Sequence, residues 1–509
     1  MHSSTALYSV SEIRAIEQAA ISALPAGTLM QRAGQAAAQA AKSLITAPAS
    51  DTSVLVLAGP GNNGGDALEA ARLLADAGMR VTVLLFADPA HQPDDAQEAL
   101  ARARSSAARF VDPVAEPISH SGNWDLVIDG LFGIGLARAI SGELHRLVEM
   151  INTLVCPVLA LDVPSGLNAD TGTIVGSDGI AIRATHTITF IADKPGLHTC
   201  EGRDHAGEVQ VASLDIEAGH FLPADMHLNS LDAFRDSLQP RRHNSHKGSY
   251  GDVVIIGGAH GMAGAPILAG RAAAMCGAGR VFCAFVGEPP TYDSTHPELM
   301  CRVARDMDFL SSTLVAGPGL GTSRDARDIL SKTLHAIRPL VLDADALNLI
   351  AAEPALRQIL EQRKKTTVLT PHPLEAARLL GTSAKEVQVD RIAAARKLAH
   401  RFNAIVVLKG SGSIIARPDD ALMINTTGNP SLATAGTGDV LAGICGALLA
   451  QSIPAWDAAL AAVWIHGSAA DALVSQGIGP IGMMAGELLP SARTILNQVA
   501  QARVAGSSG

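Results

Sequence analysis

Short apolar runs of strand length, several of them separated by segments of helical character, recur along most of the chain and admit few folds. In the first part they stand at 54–57, 81–86, 126–128, 158–161 and 187–191, with Ala/Leu-rich segments such as 67–77 and 142–152 between them. In the second they stand at 253–256, 281–285, 314–316, 340–343, 367–370, 405–408 and 413–416, and the closing stretches 439–450 and 455–474 read as small-residue helices. Runs of this kind between helical segments form a mostly parallel sheet covered by helices. A chain of 509 residues exceeds one ordinary core. The two systems part near 219–245, so two Gly-rich α/β domains are expected. Ser9 with Glu12 three residues later forms a capping-box pattern for an opening helix that turns Ile13, Ile16 and Ala20 to one face.

Composition removes several function classes. A chain that is 48% hydrophobic and 17% charged is not a disordered one, and a net charge of -10 does not suit a general nucleic-acid binder. Trp456 and Trp464 lack a base-stacking pattern, and Met483 and Met484 read as core packing. Six cysteines without a CxxC pair suit a reducing compartment. No secretory segment opens the chain, and the apolar stretch 440–450 is shorter than a membrane span. A cytoplasmic protein with neither nucleic-acid nor membrane partners is expected.

Chemistry gathers where strands end. Gly59-Pro60-Gly61-Asn62-Asn63-Gly64-Gly65-Asp66 links the 54–57 run to a helix. Glycines there permit positive φ and close backbone approach, and a helix N-terminus attracts phosphate. The spacing is not that of the dinucleotide fingerprint, and a capping turn with Asp66 near the first helical turn explains the run almost as well. Asp129, before Gly130-Leu131-Phe132-Gly133-Ile134-Gly135, and Asp162, before Val163-Pro164-Ser165-Gly166, end two further runs. Ligands of open α/β sheets collect at such carboxyl ends. Asn63, Asp129 and Ser165 are oxygen donors suited to a hard cation, without selecting one.

The second half repeats the pattern with His246-Lys247-Gly248-Ser249-Tyr250-Gly251, Gly317-Pro318-Gly319-Leu320-Gly321, Asp343-Ala344-Asp345, Thr370-Pro371-His372-Pro373-Leu374-Glu375 and Lys409-Gly410-Ser411-Gly412-Ser413. His372 reads either as a substrate contact or as a turn residue. Thr434-Ala435-Gly436-Thr437-Gly438-Asp439 is the strongest local signal. Its small residues expose successive N–H groups at a helix start, and Asp439 is placed to take the proton of a hydroxyl attacking a nucleotide's terminal phosphate. A first-turn aspartate stabilised by the helix dipole is the plainer alternative.

The three N-terminal motifs GPGNNGGD, DGLFGIG and LDVPSG, in this order over roughly residues 7–220, resemble the epimerase domain of the bifunctional NAD(P)H-hydrate repair enzymes. Over about 240–500, HKGSYG, GGAHGMAGA, GPGLG, LVLDADALN, LTPHPLE, VVLKG and NTTGNPSLATAGTGDVLAG resemble the ribokinase-like dehydratase domain of the same family. The resemblance implies a Rossmann-like three-layer domain over 1–224 and a ribokinase-like α/β domain over 225–505. It implies interconversion of the R and S forms of NADH or NADPH hydrate at C6, then phosphorylation of the C6 hydroxyl of the S form and loss of phosphate.

By the same resemblance, the hydrate is held in the first domain by Asn62, Asn63, Gly64, Gly65, Asp66 and by Gly133, Ile134, Gly135, Leu136, Ala137, Arg138 and Ala139, with Asp162 moving the proton. Lys194 is a further candidate for stabilising charge or orienting substrate, against an equal reading as a surface lysine. Potassium is implied on Asn63, Asp129 and Ser165. In the second domain Ala265, Gly319, His372 and Asp439 take the hydrate, and Lys409, Gly410, Ser411, Gly412, Ser413 and Gly438, with the Gly436-Thr437 turn, take the nucleotide with Mg2+. ADP is the expected donor and ATP the second choice, because the fused order resembles bacterial members. A homo-oligomer is expected. The chain departs from the family at Ala67 and Leu374, where Gly is usual, at Gly130, where Ala is usual, and at Ser431, where Gly is usual. A small-molecule kinase using the same anion turn, and a non-catalytic dinucleotide-binding protein, are the competing functions.

Overall fold

The computed structural model describes residues 5–111 and 123–506, and the chain divides into two compact units, Met1–Met226 and His227–Gly509. The first holds a 7-stranded sheet in the order Arg109–Val111, Arg80–Leu85, Ser53–Ala58, Leu126–Gly130, Val158–Leu161, His186–Phe190, Glu208–Ala212. All neighbours pair in parallel, for instance Val56 with Val83 on one side and with Ile128 on the other. The chain works outward one way from Ser53–Ala58 and then the other way from Leu126–Gly130. Their carboxyl ends therefore flank the point where strand order reverses, and a crevice opens there.

Helices Thr28–Ser43, Asn62–Asp76 and Asp94–Arg104 cover one face of this sheet and Gly142–Ile151 the other. The opening helix, Val10–Ile21, is capped as its sequence requires. Glu12 N donates to Ser9 Oγ at 3.3 Å and Ser9 N donates to Glu12 Oε2 at 2.6 Å, while Ile13, Ile16 and Ala20 are buried. The Thr28–Ser43 helix escapes the strand-and-helix reading because its buried face is almost all Ala and Gly. Those small residues let it lie against Asn62–Asp76 so closely that a Cβ on Gly34 would overlap Glu69.

In the second unit, Met300–Val303, Arg280–Phe285, Asp252–Gly257, Thr313–Ala316, Leu340–Leu342, Thr367–Leu369 and Ile405–Leu408 stand side by side in parallel, and Ile414–Ala416 and Leu422–Asn425 extend the sheet antiparallel. Here the order reverses between Asp252–Gly257 and Thr313–Ala316. The expected small-residue helices are Thr437–Ala450 and Ala455–Ser475. The latter is long and apolar enough to cross a membrane by length and composition, which the expectation from 440–450 overlooked. It is a core helix here: Ala458 through Val463 and Ile465 are buried in one cluster with Thr437–Ala450. All six cysteines are free.

Two departures from the family pattern prove to be one exchange. A Cβ added to Gly130 would run into the methyl of Ala67, while its other neighbours, Asn63 O and Leu57 O, lie at 3.0 and 3.2 Å. The one methyl that fits between strand and helix is carried by residue 67 here instead of residue 130. Gly130→Ala is expected to cost about 1–3 kcal/mol through overpacking. Adding Ala67→Gly should recover most of that loss, which a double-mutant cycle in urea would read. Equal stability of the Gly130→Ala protein and wild type would refute the account.

Candidate active sites at the two strand-order reversals

The glycines of 59–66 do not serve the purpose first expected of them. None of Gly59, Gly61, Gly64 or Gly65 has positive φ, and the helix already begins at Asn62. Space is the reason at Gly59, Gly64 and Gly65, whereas a Cβ on Gly61 would meet nothing within 4 Å. A Cβ on Gly59 would overlap the Leu131 carbonyl, one on Gly64 would overlap the Gly59 carbonyl, and one on Gly65 would sit 2.5 Å from Met30 Cε. Nor is Asp66 a first-turn residue; it is buried one turn further in. Burial and the charges of Asp162 and Glu17 hold its carboxyl well above the usual carboxylate range.

A cleft of about 900 Å³ lies over this crevice, walled by Asn62, Asn63 and Asp66, by residues 131–141, by Asp162, and by Arg14 and Glu17 from the opening helix. It gathers the expected Gly133, Ile134, Gly135, Leu136, Ala137, Arg138 and Ala139 on one wall. Asp162, at φ 66, turns out of the Val158–Leu161 strand. Its Oδ2 accepts from Ile134 N at 3.2 Å, and its Oδ1 lies 2.8 Å from Lys194 Nζ. A side chain on Gly133 would begin 3.0 Å from Asp162 Oδ2, so glycine keeps that carboxylate open to the cleft.

Lys194 is no surface lysine: its exposure is 0%. Its ammonium also donates to Thr189 Oγ1 at 2.6 Å, Phe190 O at 3.0 Å and Ala192 O at 3.1 Å. Three N–H bonds thus meet four acceptors, all of them protein atoms. Lys194 consequently acts on Asp162 and does not face a ligand.

Asp129 and Ser165, both fully buried, meet beneath the cleft, and Asn63 lines its wall. Ser165 Oγ donates to Asp129 Oδ1 at 2.7 Å, Ser165 N donates to Asp129 Oδ2 at 2.8 Å, and Phe132 N donates to Ser165 Oγ at 2.8 Å. Burial pushes the Asp129 carboxyl up to about 6 against the hydrogen bonds from Ser165 and Leu131. The amide oxygen and nitrogen of Asn63 are buried with no hydrogen-bond partner. A buried amide oxygen in that condition costs a few kcal/mol, roughly 1–3, and a cation would supply what it lacks.

In the second unit, loops at successive strand ends converge on Asp439. Lys409 Nζ lies 2.7 Å from Asp343 Oδ1, which also accepts from Thr370 Oγ1 at 2.8 Å. A Cβ on Gly438 would lie 3.3 Å from Lys409 Nζ and 3.8 Å from Asp343 Oδ2, so the first turn of Thr437–Ala450 stands directly against this pair. Gly436, at φ 90, makes the turn into the helix. Thr437 Oγ1 turns back to the carbonyls of Leu432 and Thr434, both at 2.9 Å, and so braces the turn.

Burial and the negative charge of Asp343 push Asp439 up to about 7, with Lys409 opposing. Lys409 is itself raised: burial disfavours its charge, and Asp343, Glu375 and Asp439 outweigh that. Among the described residues no group of three or more His, Cys, Asp or Glu is gathered to hold a metal by itself.

Other expected residues take more specific parts. His372 caps the Pro373–Leu380 helix, its Nδ1 accepting from Leu374 N at 3.1 Å and Glu375 N at 3.4 Å. Burial and Lys409 hold its pKa down, and the second nitrogen, Nε2, lies 3.3 Å from Glu375 Oε1, so the ring is held at both nitrogens. Gly319, at φ 57, and Ala265 meet; a Cβ on the glycine would stand 3.3 Å from Ala265 Cβ. The 409–413 loop rests on Arg391, 1% exposed, which donates to the carbonyls of Leu408, Lys409 and Gly412. Its guanidinium fills the space a Cβ on Gly410 would need, while Ser413 Oγ donates to Gly410 O at 3.2 Å and Ser411 is exposed.

Sequence reasoning missed Arg391, Glu17, Thr189 and His466. The last is a buried imidazole beside the Thr437 backbone that burial holds down to about 4. Arg391, Glu17 and His466 lie on helices outside the motifs they support, and Thr189 sits mid-strand five residues before Lys194, so only the fold shows which side chains they meet.

Comparison with known proteins follows the same division. A family model described as NAD(P)H-hydrate dehydratase matches residues 253–491, and one described as YjeF-related protein N-terminus matches 26–196. The Bifunctional NAD(P)H-hydrate repair enzyme Nnr of Coxiella burnetii is 40% identical over 97% of this chain and 100% of its own length. The Escherichia coli enzyme of the same name is 40% identical over 92% of this chain and 89% of its own, and that of Leishmania braziliensis is 35% identical over 94% and 91%. Among solved structures, an ADP/ATP-dependent NAD(P)H-hydrate dehydratase from Bacillus subtilis superposes with a TM-score of 0.47 at 28% identity, covering 53% of this chain and 98% of that one. The two family models fall one in each unit and the curated relatives align across both, which a stand-alone kinase would not. With two sites of different construction and relatives aligned across both, the chain belongs to the bifunctional NAD(P)H-hydrate repair enzymes, which epimerise hydrated NAD(P)H and dehydrate it.

Proposed function

We propose that residues 1–224 carry the epimerase and 225–505 the dehydratase of a cytoplasmic repair enzyme, that Asp162 and Asp439 move the protons of the two reactions, and that ADP is the phosphate donor. One observation carries the dehydratase assignment: Asp439 is pushed up to about 7 at a helix N-terminus packed against the Lys409–Asp343 pair. A carboxylate with that affinity for a proton is a competent base near neutral pH.

Asp439 takes the proton of the C6 hydroxyl as its oxygen attacks the terminal phosphate of the nucleotide. The N–H groups of Gly436, Thr437 and Gly438 stabilise the charge that collects on the transferring group. Lys409, Gly410, Ser411, Gly412 and Ser413 hold the nucleotide; Ala265, Gly319 and His372 hold the hydrate. Phosphate then leaves C6, the C5 proton is lost, and the ring double bond returns. Magnesium, bound through nucleotide phosphates and one or two of the carboxylates, would neutralise the phosphate charge.

In the first unit Asn62, Asn63, Gly64, Gly65, Asp66 and residues 133–139 bind the hydrate, and Asp162, oriented by Lys194, exchanges its proton. Asn63, Asp129 and Ser165 would hold a potassium ion, which supplies a fixed positive charge under the floor. The two buried partnerless atoms of Asn63 support that placement.

ADP is favoured over ATP because the bacterial relatives match at up to 40% identity in fused form. Purified protein given mixed R and S NADPH hydrates, with each nucleotide in turn, should recover the reduced nicotinamide absorbance and release phosphate faster with ADP. Faster recovery with ATP would reverse the donor assignment, and no recovery with either would reject the dehydratase reading.

A further inference from the structure

Asp162 has one oxygen against Lys194 and the other under Ile134 N, so a single carboxylate held from two sides lines the cleft in which the proposed function puts the reacting carbon. Inverting C6 requires one proton to be taken up and another given out. C6 bears a hydroxyl and is bonded to N1, which makes it a hemiaminal carbon. Interconversion by ring opening removes the O–H proton, forms C6=O as the C6–N1 bond breaks, and delivers a proton to N1. Rotation about C5–C6 and the reverse steps then set the hydroxyl on the other face. No oxidant, reductant or further reactant enters.

From the cleft we infer that Glu17 is the second proton-carrying catalytic group of the epimerase, giving a proton to N1 while Asp162 takes one from the hydroxyl. This rests on the reading of Asp162 above. Three observations on the page support it. Glu17 lies on the wall of the same cleft as Asp162, one turn along the opening helix from Ile13 and on its half-buried side. Among the described residues it makes no hydrogen bond or ion pair, whereas Lys194 is fully engaged.

The charged groups around it also favour the proton-bearing form. Burial raises Glu17 first, the Asp162 charge raises it further, and Arg14 and Lys194 oppose. Asp66, on the facing helix, is itself held well above the usual carboxylate range by burial and by Asp162 and Glu17. A nicotinamide ring closing over the cleft removes water and pushes in the same direction.

The test compares Glu17→Gln, Glu17→Asp and Asp162→Asn in the full chain, using enriched R hydrate and following epimerisation across pH, with pure S hydrate as a check on the dehydratase. For Glu17→Gln the epimerase kcat is expected to fall roughly 100-fold, KM to change little, and the decline of rate at alkaline pH to vanish. Glu17→Asp keeps that alkaline limb and part of the rate, and dehydration of S hydrate is unchanged in all three. If Glu17→Gln retains kcat and the alkaline limb while Asp162→Asn is inactive, Glu17 is not the acid and the Asp162 reading stands. A rise in KM alone likewise overturns the proposal, leaving Glu17 a binding residue. If Asp162→Asn is also fully active, the Asp162 reading itself fails, and the role of Glu17 with it.

Discussion

Asp439→Asn is expected to lower NADPH recovery from S hydrate by roughly a thousandfold, within the range that loss of a general base produces, while R and S forms continue to interconvert. The amide keeps the shape of the turn and the helix start but cannot take the hydroxyl proton. The pH dependence follows from the same geometry. Burial and Asp343 raise Asp439 to about 7, so the base form is lost below that value and gained above it. The kcat/KM of dehydration should climb as pH rises through about 7 in the wild type and show no such rise in the residual activity of the variant. An unchanged rate in Asp439→Asn would remove this residue from the chemistry, and loss of both activities would show that the substitution acts through unfolding.

Lys194→Met should be the most destabilising single change in the first unit. The side chain is nearly isosteric, but it leaves the Asp162 carboxylate, Thr189 Oγ1 and the carbonyls of Phe190 and Ala192 without their common donor. Removing one partner of a buried ion pair costs about 3–5 kcal/mol. A denaturant titration reads this directly. Epimerisation should fall with it, because nothing then fixes the orientation of Asp162. Lys194→Arg will not restore it, since a guanidinium does not fit a space closed on all sides at 0% exposure. A Met variant as stable as the parent would show that the four contacts contribute nothing.

Much of the fold is legible in the chain. Apolar runs such as 54–57, 158–161 and 314–316 become central strands because every residue in them is buried on one face or the other, a demand that local composition already records. The edge strands Arg109–Val111, Glu208–Ala212 and Met300–Val303 are not legible in this way. Half-exposed and partly polar, they owe their conformation to a neighbour that offers its hydrogen bonds. The glycines of 59–66 do not supply the expected positive φ, and the close contacts that require Gly59 and Gly65 can be seen only when Leu131 and Met30 are in place.

Sequence by itself determined that there are two α/β systems, that Asp162 stands at a strand end and that Asp439 stands at a helix start, because strand, turn and helix start are local features written in consecutive residues. Tertiary structure alone decided what surrounds them. Lys194 became the buried partner of Asp162 in place of a surface lysine, Asp66 moved from helix cap to cleft, and Glu17 arrived from the opening helix, whose capping box says nothing of a site. The physical reason is that proton affinity depends on burial and on charges a few ångströms away, and those neighbours are drawn from segments far apart along the chain.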